Sequence, residues 1–129
     1  MRGTLSADGR EALLSVEVLS QDATSSLRVE AVIDSGFTGH LTLLPESVEA
    51  LGLPIIGSAE SILADGSLVV EDVCTARVLW HREERPVRVL VAGARPLLGM
   101  GLLRGSALHI ECVSGGEVSV EKLDSGLAS

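Results

Sequence analysis

The sequence predicts an all-β domain, either a closed barrel or a sandwich, with one or two short helices. Short segments in which apolar and polar residues alternate recur along most of the chain, and turn-forming residues separate them. The 129 residues are 46% hydrophobic but include only one Phe, one Trp and no Tyr. This length fits a single domain, residues 1–129, with a core of Val, Leu, Ile and Ala. The polar segment 124–129 predicts a flexible tail.

The first half of the chain predicts three strands and a short helix. Residues 11–20 and 27–33 alternate between apolar and polar side chains, and the turn-forming segment 21–24 separates them. Residues 41–44 predict a third, shorter strand. Pro45 follows directly, and proline is favoured at the first position of a helix. A helix of one or two turns is therefore expected after this strand.

The second half predicts a long hairpin and further strands. Residues 58–63 and 67–80 flank a tip of Ala64, Asp65 and Gly66, and Asp-Gly between extended segments is a strong hairpin signal. A charged turn is expected over residues 81–84. The remaining alternating segments predict strands over residues 86–92, 107–112 and 118–120.

Charge and composition argue against several classes of function. The chain carries 18 acidic and 10 basic side chains, a net charge of −8, with no basic stripe and almost no aromatic residues for base stacking. We therefore expect no nucleic-acid partner, and the negative charge argues against anionic membrane surfaces. No apolar run approaches the roughly 20 residues that span a bilayer, and the first residues do not resemble a secretory signal. A cytoplasmic protein is expected.

The histidines and cysteines predict neither a metal site nor a cofactor. The three histidines share no ligand-like spacing with one another or with either cysteine. Cys74 and Cys112 fall in alternating apolar segments, which favours two buried thiols over a disulfide. A hydrolase that uses one of these cysteines with a histidine is a further hypothesis. The lack of a helix start, basic neighbours or a nucleophile elbow around either cysteine argues against it.

The strongest functional signal lies in the segment Asp34, Ser35, Gly36, Phe37, Thr38, Gly39. Its carboxylate directly follows a predicted strand and lies in a glycine-bounded turn. Asp, Ser and Gly also favour ordinary solvated turns, so this triplet alone does not distinguish a catalytic carboxylate from a turn residue. A second signal follows the hairpin, in the apolar segment 97–103, which begins Leu97, Leu98, Gly99.

Together these segments resemble the clan AA, or retropepsin-like, aspartic proteases, and most closely their small single-domain prokaryotic members. In that family an Asp, Thr or Ser, Gly loop precedes a flap hairpin, and two apolar residues and a Gly then lead into a short helix. The chain has these parts in the same order, with an Ala-Asp-Gly tip and a Leu79, Trp80 strand end between them. The resemblance spans residues 3–123. It implies a closed barrel with a flap hairpin and half an active site in each chain.

The resemblance also implies roles for individual residues. Asp34 is the expected catalytic residue. Residues expected to support its loop are Ser35, Gly36, Leu97, Leu98 and Gly99. Residues expected to bind substrate or to form the flap are Phe37, Thr38, Ala64, Asp65 and Gly66. Viral members carry Ala where Phe37 stands here, so their substrate preferences are not transferred.

The expected function is peptide-bond hydrolysis by a homodimer. Without a metal or a covalent intermediate, this reaction needs one group that takes a proton from water and another that gives one to the amide. The chain has a single Asp-Ser-Gly triplet directly after a predicted strand, so a second copy would supply the second carboxylate. The expected partners are this second copy and an extended peptide or protein. The alternative is a catalytically silent module of the same fold that binds peptides or mediates assembly.

Overall fold

The computed structural model describes residues 1–124, most of which lie in strands. The predicted tail lies outside the described residues except for Asp124. The elements, in chain order, are β1 (Arg2–Leu5), β2 (Ala12–Leu19), β3 (Ser26–Ile33), β4 (Leu41–Leu43), α1 (Pro45–Ala50), β5 (Gly57–Ile62), β6 (Leu68–Trp80), β7 (Glu83–Val91), β8 (Leu97–Leu98), α2 (Met100–Leu103), β9 (Ser106–Ile110) and β10 (Glu117–Lys122). None of the helices within residues 1–124 has the length and apolarity needed to cross a membrane.

The strands form one hydrogen-bonded sheet in the order β5-β6-β7-β4-β8-β3-β2-β1-β10-β9. A further antiparallel pairing joins β2 to β6, two strands that lie far apart in this order. The β3–β8 and β4–β7 pairs are parallel. The first pair brings the end of β3 to β8, and the second brings β4 to β7. Long stretches of chain separate the partners in each pair.

The core follows from the alternation that the sequence shows. Every second residue of β2 is buried, and the middle of β3 shows the same alternation. The inward-facing residues of β6 and β7 are buried as well. The buried apolar residues are Val, Leu and Ala, together with Cys74 and Trp80. Among the described residues isoleucine contributes only partly buried side chains, Ile33 and Ile110, so its expected place in the core is not observed.

The turn between β6 and β7 is shorter than predicted. Only His81 and Arg82 connect the strands, and both have positive φ, 52° and 67°. Two consecutive residues with positive φ match the twist of antiparallel strands in a two-residue hairpin. Glu83 and Glu84 therefore belong to β7, where they pair with Trp80 and Leu79. Their charge suggested a loop, but pairing with β6 places them in the sheet.

Two other differences concern β1 and Cys112. Strand β1 was not predicted, because only Leu5 of its four residues is buried and such a short segment shows no alternation. It lies between β2 and β10, and a Cβ at Gly3 would lie 1.9 Å from the Leu13 carbonyl oxygen. Cys112 lies beyond the end of β9 and is exposed, so the prediction that it is buried was wrong.

Candidate active site

Asp34 lies at the first position after β3, where the parallel pairing with β8 fixes its backbone. Its N–H donates to the Leu98 carbonyl oxygen at 2.9 Å, and the Val32 N–H donates to Pro96 in the same way. Leu98 is fully buried between β3 and β4. The position of Asp34 is therefore set by the core of the protein and not by a freely moving loop.

The carboxylate of Asp34 is bound within a tight turn. Its Oδ1 accepts the Gly36 N–H at 2.9 Å, and the Phe37 N–H donates to the Asp34 carbonyl oxygen at 3.1 Å. A Cβ at Gly36 would lie 3.2 Å from Oδ1, so a glycine at this position avoids a close contact with the carboxylate. Asp34 is half-buried, whereas Ser35 and Gly36 are exposed. We refer to residues 34–40 as the Asp34 loop.

Residues 99–101, which directly follow β8, bind the Asp34 loop. The N–H groups of Gly99, Met100 and Gly101 donate to loop carbonyl oxygens of His40, Phe37 and Gly39, at 3.0, 2.8 and 3.0 Å. The approach is so close that a Cβ at Gly99 would lie 2.3 Å from the Gly39 oxygen. Glycine is therefore required at this position for the loop and α2 to meet.

The Phe37 ring packs against this same backbone. A Cβ at Gly39 would lie 2.6 Å from the ring, and one at Gly99 would also lie 2.6 Å from it. The ring is half-buried and covers the glycines that join the loop to α2. Phe37 therefore braces its own loop, and it also contributes to the wall of a neighbouring cavity.

Strands β5 and β6 form a long hairpin, which we call the β5–β6 hairpin. Its last pair is Ile62 with Leu68, and the tip is closed by a bond from the Ser67 N–H to the Asp65 carboxylate at 2.9 Å. Gly66 has a φ of +86°, which glycine adopts without steric cost. The predicted tip residues, Ala64 to Gly66, are all exposed.

A cavity of about 650 Å³ separates the Asp34 loop from the β5–β6 hairpin. It is lined by Gly36, Phe37, Thr38, Gly39, His40, Ala59, Glu60, Ser61, Ile62, Arg88 and Leu90. Asp34 is not on its wall, but Gly36, whose N–H binds the Asp34 carboxylate, is. The structure thus brings Phe37 and Thr38 to one cavity, whereas the hairpin tip residues do not line it.

The fold of this chain is similar to that of a solved structure. A retropepsin-like aspartic protease from Rickettsia conorii superposes with a TM-score of 0.58 over 96% of this chain and 91% of that chain, at 15% sequence identity. The two proteins share a fold. No protein-family model and no curated protein matches this chain. The comparison supports the retropepsin-like fold suggested by the sequence, and at this identity it is evidence of fold alone.

Two residues that anchor this candidate site were not assigned a role from the sequence. The His40 Nδ1 accepts the Arg88 N–H at 2.9 Å and so joins the end of the Asp34 loop to β7. The buried Thr42 hydroxyl accepts the Leu97 N–H at 2.8 Å. The first bond depends on the parallel pairing of β4 with β7 and the second on the antiparallel pairing of β4 with β8. No local sequence signal reports which distant strands become neighbours.

The pKa of His40 is held below its usual value of 6.5, mainly because burial disfavours the charged imidazolium. The nearby Arg85 and Arg88 guanidinium groups lower it further. A neutral imidazole is also what the bond to Arg88 requires, since Nδ1 must be unprotonated to accept the Arg88 N–H hydrogen bond. The environment and the hydrogen bond therefore favour the same protonation state.

The cysteines do not form an alternative site. Cys74 is fully buried in the core, and burial raises the pKa of its thiol, which opposes formation of the nucleophilic thiolate. Cys112 is exposed, and its Sγ contacts the Ile110 carbonyl oxygen at 3.8 Å. A separate cavity of about 420 Å³ near Trp80 and His81 contains neither cysteine.

Proposed function

We propose that this chain is an aspartic endopeptidase that works as a homodimer, with one Asp34 from each copy. The observation that carries the proposal is the position of Asp34. The carboxylate lies at the end of a core strand, in a turn clamped by residues 97–101 and bordering a cavity under the β5–β6 hairpin. The shared fold with a retropepsin-like aspartic protease supports this assignment.

The chemistry of the proposal depends on two carboxylates sharing one proton. At a separation of about 4 Å and an effective dielectric constant of 20, they repel by about 4 kcal/mol. This repulsion corresponds to about three pKa units, so one carboxyl group stays protonated while the other is ionised. The ionised group takes a proton from water, and the protonated group gives one to the leaving amide nitrogen. The activity should therefore be higher at acidic than at alkaline pH.

The exposed side of the Asp34 loop suits an approach by a second copy. Ser35 and Gly36 are exposed, and neither carries a bulky side chain. In the proposed dimer Ser35 bonds to the partner loop across the two-fold axis, and Gly36 lets the two backbones come close. Residues 97–99 stay within their own chain and hold the loop in place.

In the proposed enzyme the fold is a closed barrel and the β5–β6 hairpin is its flap. Ile62 pairs with Leu68, and Val70 lies two residues further along, so these three side chains share one face of the hairpin. They are 75%, 63% and 64% exposed, which is unusual for large apolar residues that occur together. In the proposed enzyme this apolar face packs on an extended peptide bound beneath the hairpin, and closure of the hairpin excludes water from the reaction.

The proposal is tested by cleavage of a diverse peptide library between pH 4 and 8. Asp34→Asn preserves the shape of the side chain but cannot share a proton, so we expect it to abolish cleavage. Asp22→Asn is the matched control, because Asp22 also accepts a backbone N–H two residues on, from Thr24 at 3.1 Å, in a turn outside the cavity. This control should cleave like the wild type.

Sedimentation velocity in the same buffers gives the assembly state. A strict monomer under conditions that support cleavage contradicts the proposal, as does an optimum above about pH 8. If neither protein cleaves any peptide, yet the wild type binds peptides, the chain is a peptide-binding module of this fold.

A further inference from the structure

We propose that Arg88 makes this protein selective for substrates with an acidic side chain at the position that lies beside the Asp34 loop. The inference rests on the proposed function, because it assigns the 650 Å³ cavity to an extended peptide.

Arg88 is a cation without an anionic partner on the wall of the cavity. Its backbone N–H binds His40, but its guanidinium makes no hydrogen bond or ion pair with any described residue. The neighbouring Arg85, by contrast, donates to the carbonyl oxygens of Gly101 and Leu102 at 3.1 and 3.0 Å. The Arg85 guanidinium is therefore hydrogen-bonded to α2, whereas the Arg88 guanidinium is available to bind a ligand.

Arg88 also lies on the rigid side of the cavity. Its strand, β7, pairs with both β6 and β4, and the flanking Val87 and Val89 are buried. The bond to His40 holds the Arg88 backbone against the Asp34 loop. The backbone of a recognition residue on such a scaffold is already fixed before binding, and a planar guanidinium can bind both oxygens of one carboxylate.

Two other ionisable side chains line the cavity. His40 lies on the loop side, and its lowered pKa reflects in part the nearness of Arg88. Glu60 lies on β5, on the hairpin side, and it is not within ion-pair distance of Arg88. Arg85 of β7 is the other charge that acts on His40. Arg88 is therefore the permanent cation of the cavity wall, in a protein whose overall charge is −8.

The test compares matched peptides that differ only by Glu or Gln at one position of a cleaved sequence. At pH 6 we expect the wild type to favour Glu at one position by about tenfold in kcat/KM, as a charge-assisted hydrogen bond allows. The preference should disappear at pH 3.5, where the peptide carboxyl group is protonated, and weaken in high salt. Arg88→Gln should reduce the ratio to about one at pH 6.

Two control variants separate this role from general effects. Arg28→Gln removes an exposed arginine of β3 that does not line the cavity, so it should keep the preference. Glu60→Gln should keep or increase it, because this variant removes a carboxylate from the cavity wall. An unchanged Glu-to-Gln ratio in Arg88→Gln overturns the inference, and so does loss of the ratio in Glu60→Gln alone.

Failure of this inference is distinguishable from failure of the proposed function. Equal cleavage of Glu and Gln peptides at every position overturns the role of Arg88 and leaves the protease assignment intact. If no peptide is cleaved, fluorescence anisotropy measures how tightly fluorescently labelled Glu and Gln versions of library peptides bind to Asp34→Asn, with and without Arg88→Gln. Tighter binding of Glu peptides that depends on Arg88 supports the inference, and equal binding contradicts it.

Discussion

Gly99→Ala tests the contact that positions the Asp34 loop. An added Cβ would lie 2.3 Å from the Gly39 carbonyl oxygen and 2.6 Å from both the Phe37 oxygen and the Phe37 ring, where ordinary contacts are 3.4–4 Å. Two of these three contacts are backbone atoms and cannot rotate away. The loop must therefore move off α2, which breaks the bonds from Met100 to Phe37 and from Gly101 to Gly39.

The expected loss of stability follows from these contacts. Overpacking a close contact costs about 1–3 kcal/mol, and each of the two hydrogen bonds contributes about 1 kcal/mol. We expect Gly99→Ala to lower the free energy of unfolding by about 3–5 kcal/mol. For a domain of this size, the midpoint of thermal unfolding should fall by about 10–20 °C. Peptide cleavage should be lost as well, since the loop carries Asp34.

The assay is thermal and urea unfolding followed by circular dichroism, with Gly93→Ala as the matched control. A Cβ at Gly93 would meet nothing within 4 Å, so this variant should stay within about 1 kcal/mol of the wild type. If Gly99→Ala proves as stable as Gly93→Ala, the loop is not held by this contact, and our explanation of how Asp34 is positioned is wrong.

Three further predictions concern other parts of the molecule. Thr42→Val should lower the free energy of unfolding by about 1–3 kcal/mol in urea titrations, because it leaves the Leu97 N–H unpaired, and Thr42→Ser should restore most of the loss. The folded-state pKa of His40 is lowered, so its contribution to stability is present above about pH 6.5 and is lost as the pH falls through the folded-state pKa. His40→Asn keeps a hydrogen-bond acceptor near the position of Nδ1. In thermal unfolding this variant should therefore lose stability less steeply than the wild type as the pH falls below 6.5. Ellman's reagent should titrate the exposed Cys112 rapidly and the buried Cys74 only as the protein unfolds.

Each of these has an outcome that counts against it. Equal stabilities for the Val and Ser variants of Thr42 argue against the hydrogen bond to β8. Parallel pH profiles for the wild type and His40→Asn argue against a partly buried, neutral imidazole. A fast reaction of one thiol that persists in Cys112→Ser places Cys74 at the surface.

Strand positions were predictable because burial on one face leaves a period of two in the sequence. Residues 27–33, for example, alternate clearly, and β3 covers them. The hairpin tip was predictable because Asp65 and Gly66 have the chemistry that such a tip requires. Burial of Cys112 was wrongly predicted, because an alternating pattern does not show where pairing with β10 stops.

From local patterns alone, the candidate site was predictable only where its parts are contiguous in sequence. The Asp34 turn is local, and its bond to Gly36 spans two residues. His40 and Arg88 meet through a parallel pairing between distant strands, which leaves no local trace in composition or periodicity. The role of Gly99 was inferred from a family pattern, and the geometry supplies its physical reason, the lack of space for a Cβ.

In the proposed enzyme two Asp34 carboxylates act together, and dimers that combine wild-type and variant chains test whether both are needed. Wild type and Asp34→Asn are refolded together in varied proportions, with total protein held constant, and the cleavage of one peptide is measured. If both carboxylates are needed, activity follows the square of the wild-type fraction, so an equal mixture retains about one quarter of the activity. A linear dependence, with about one half retained, would mean that each chain works with its own Asp34 alone, and it would contradict the proposed mechanism.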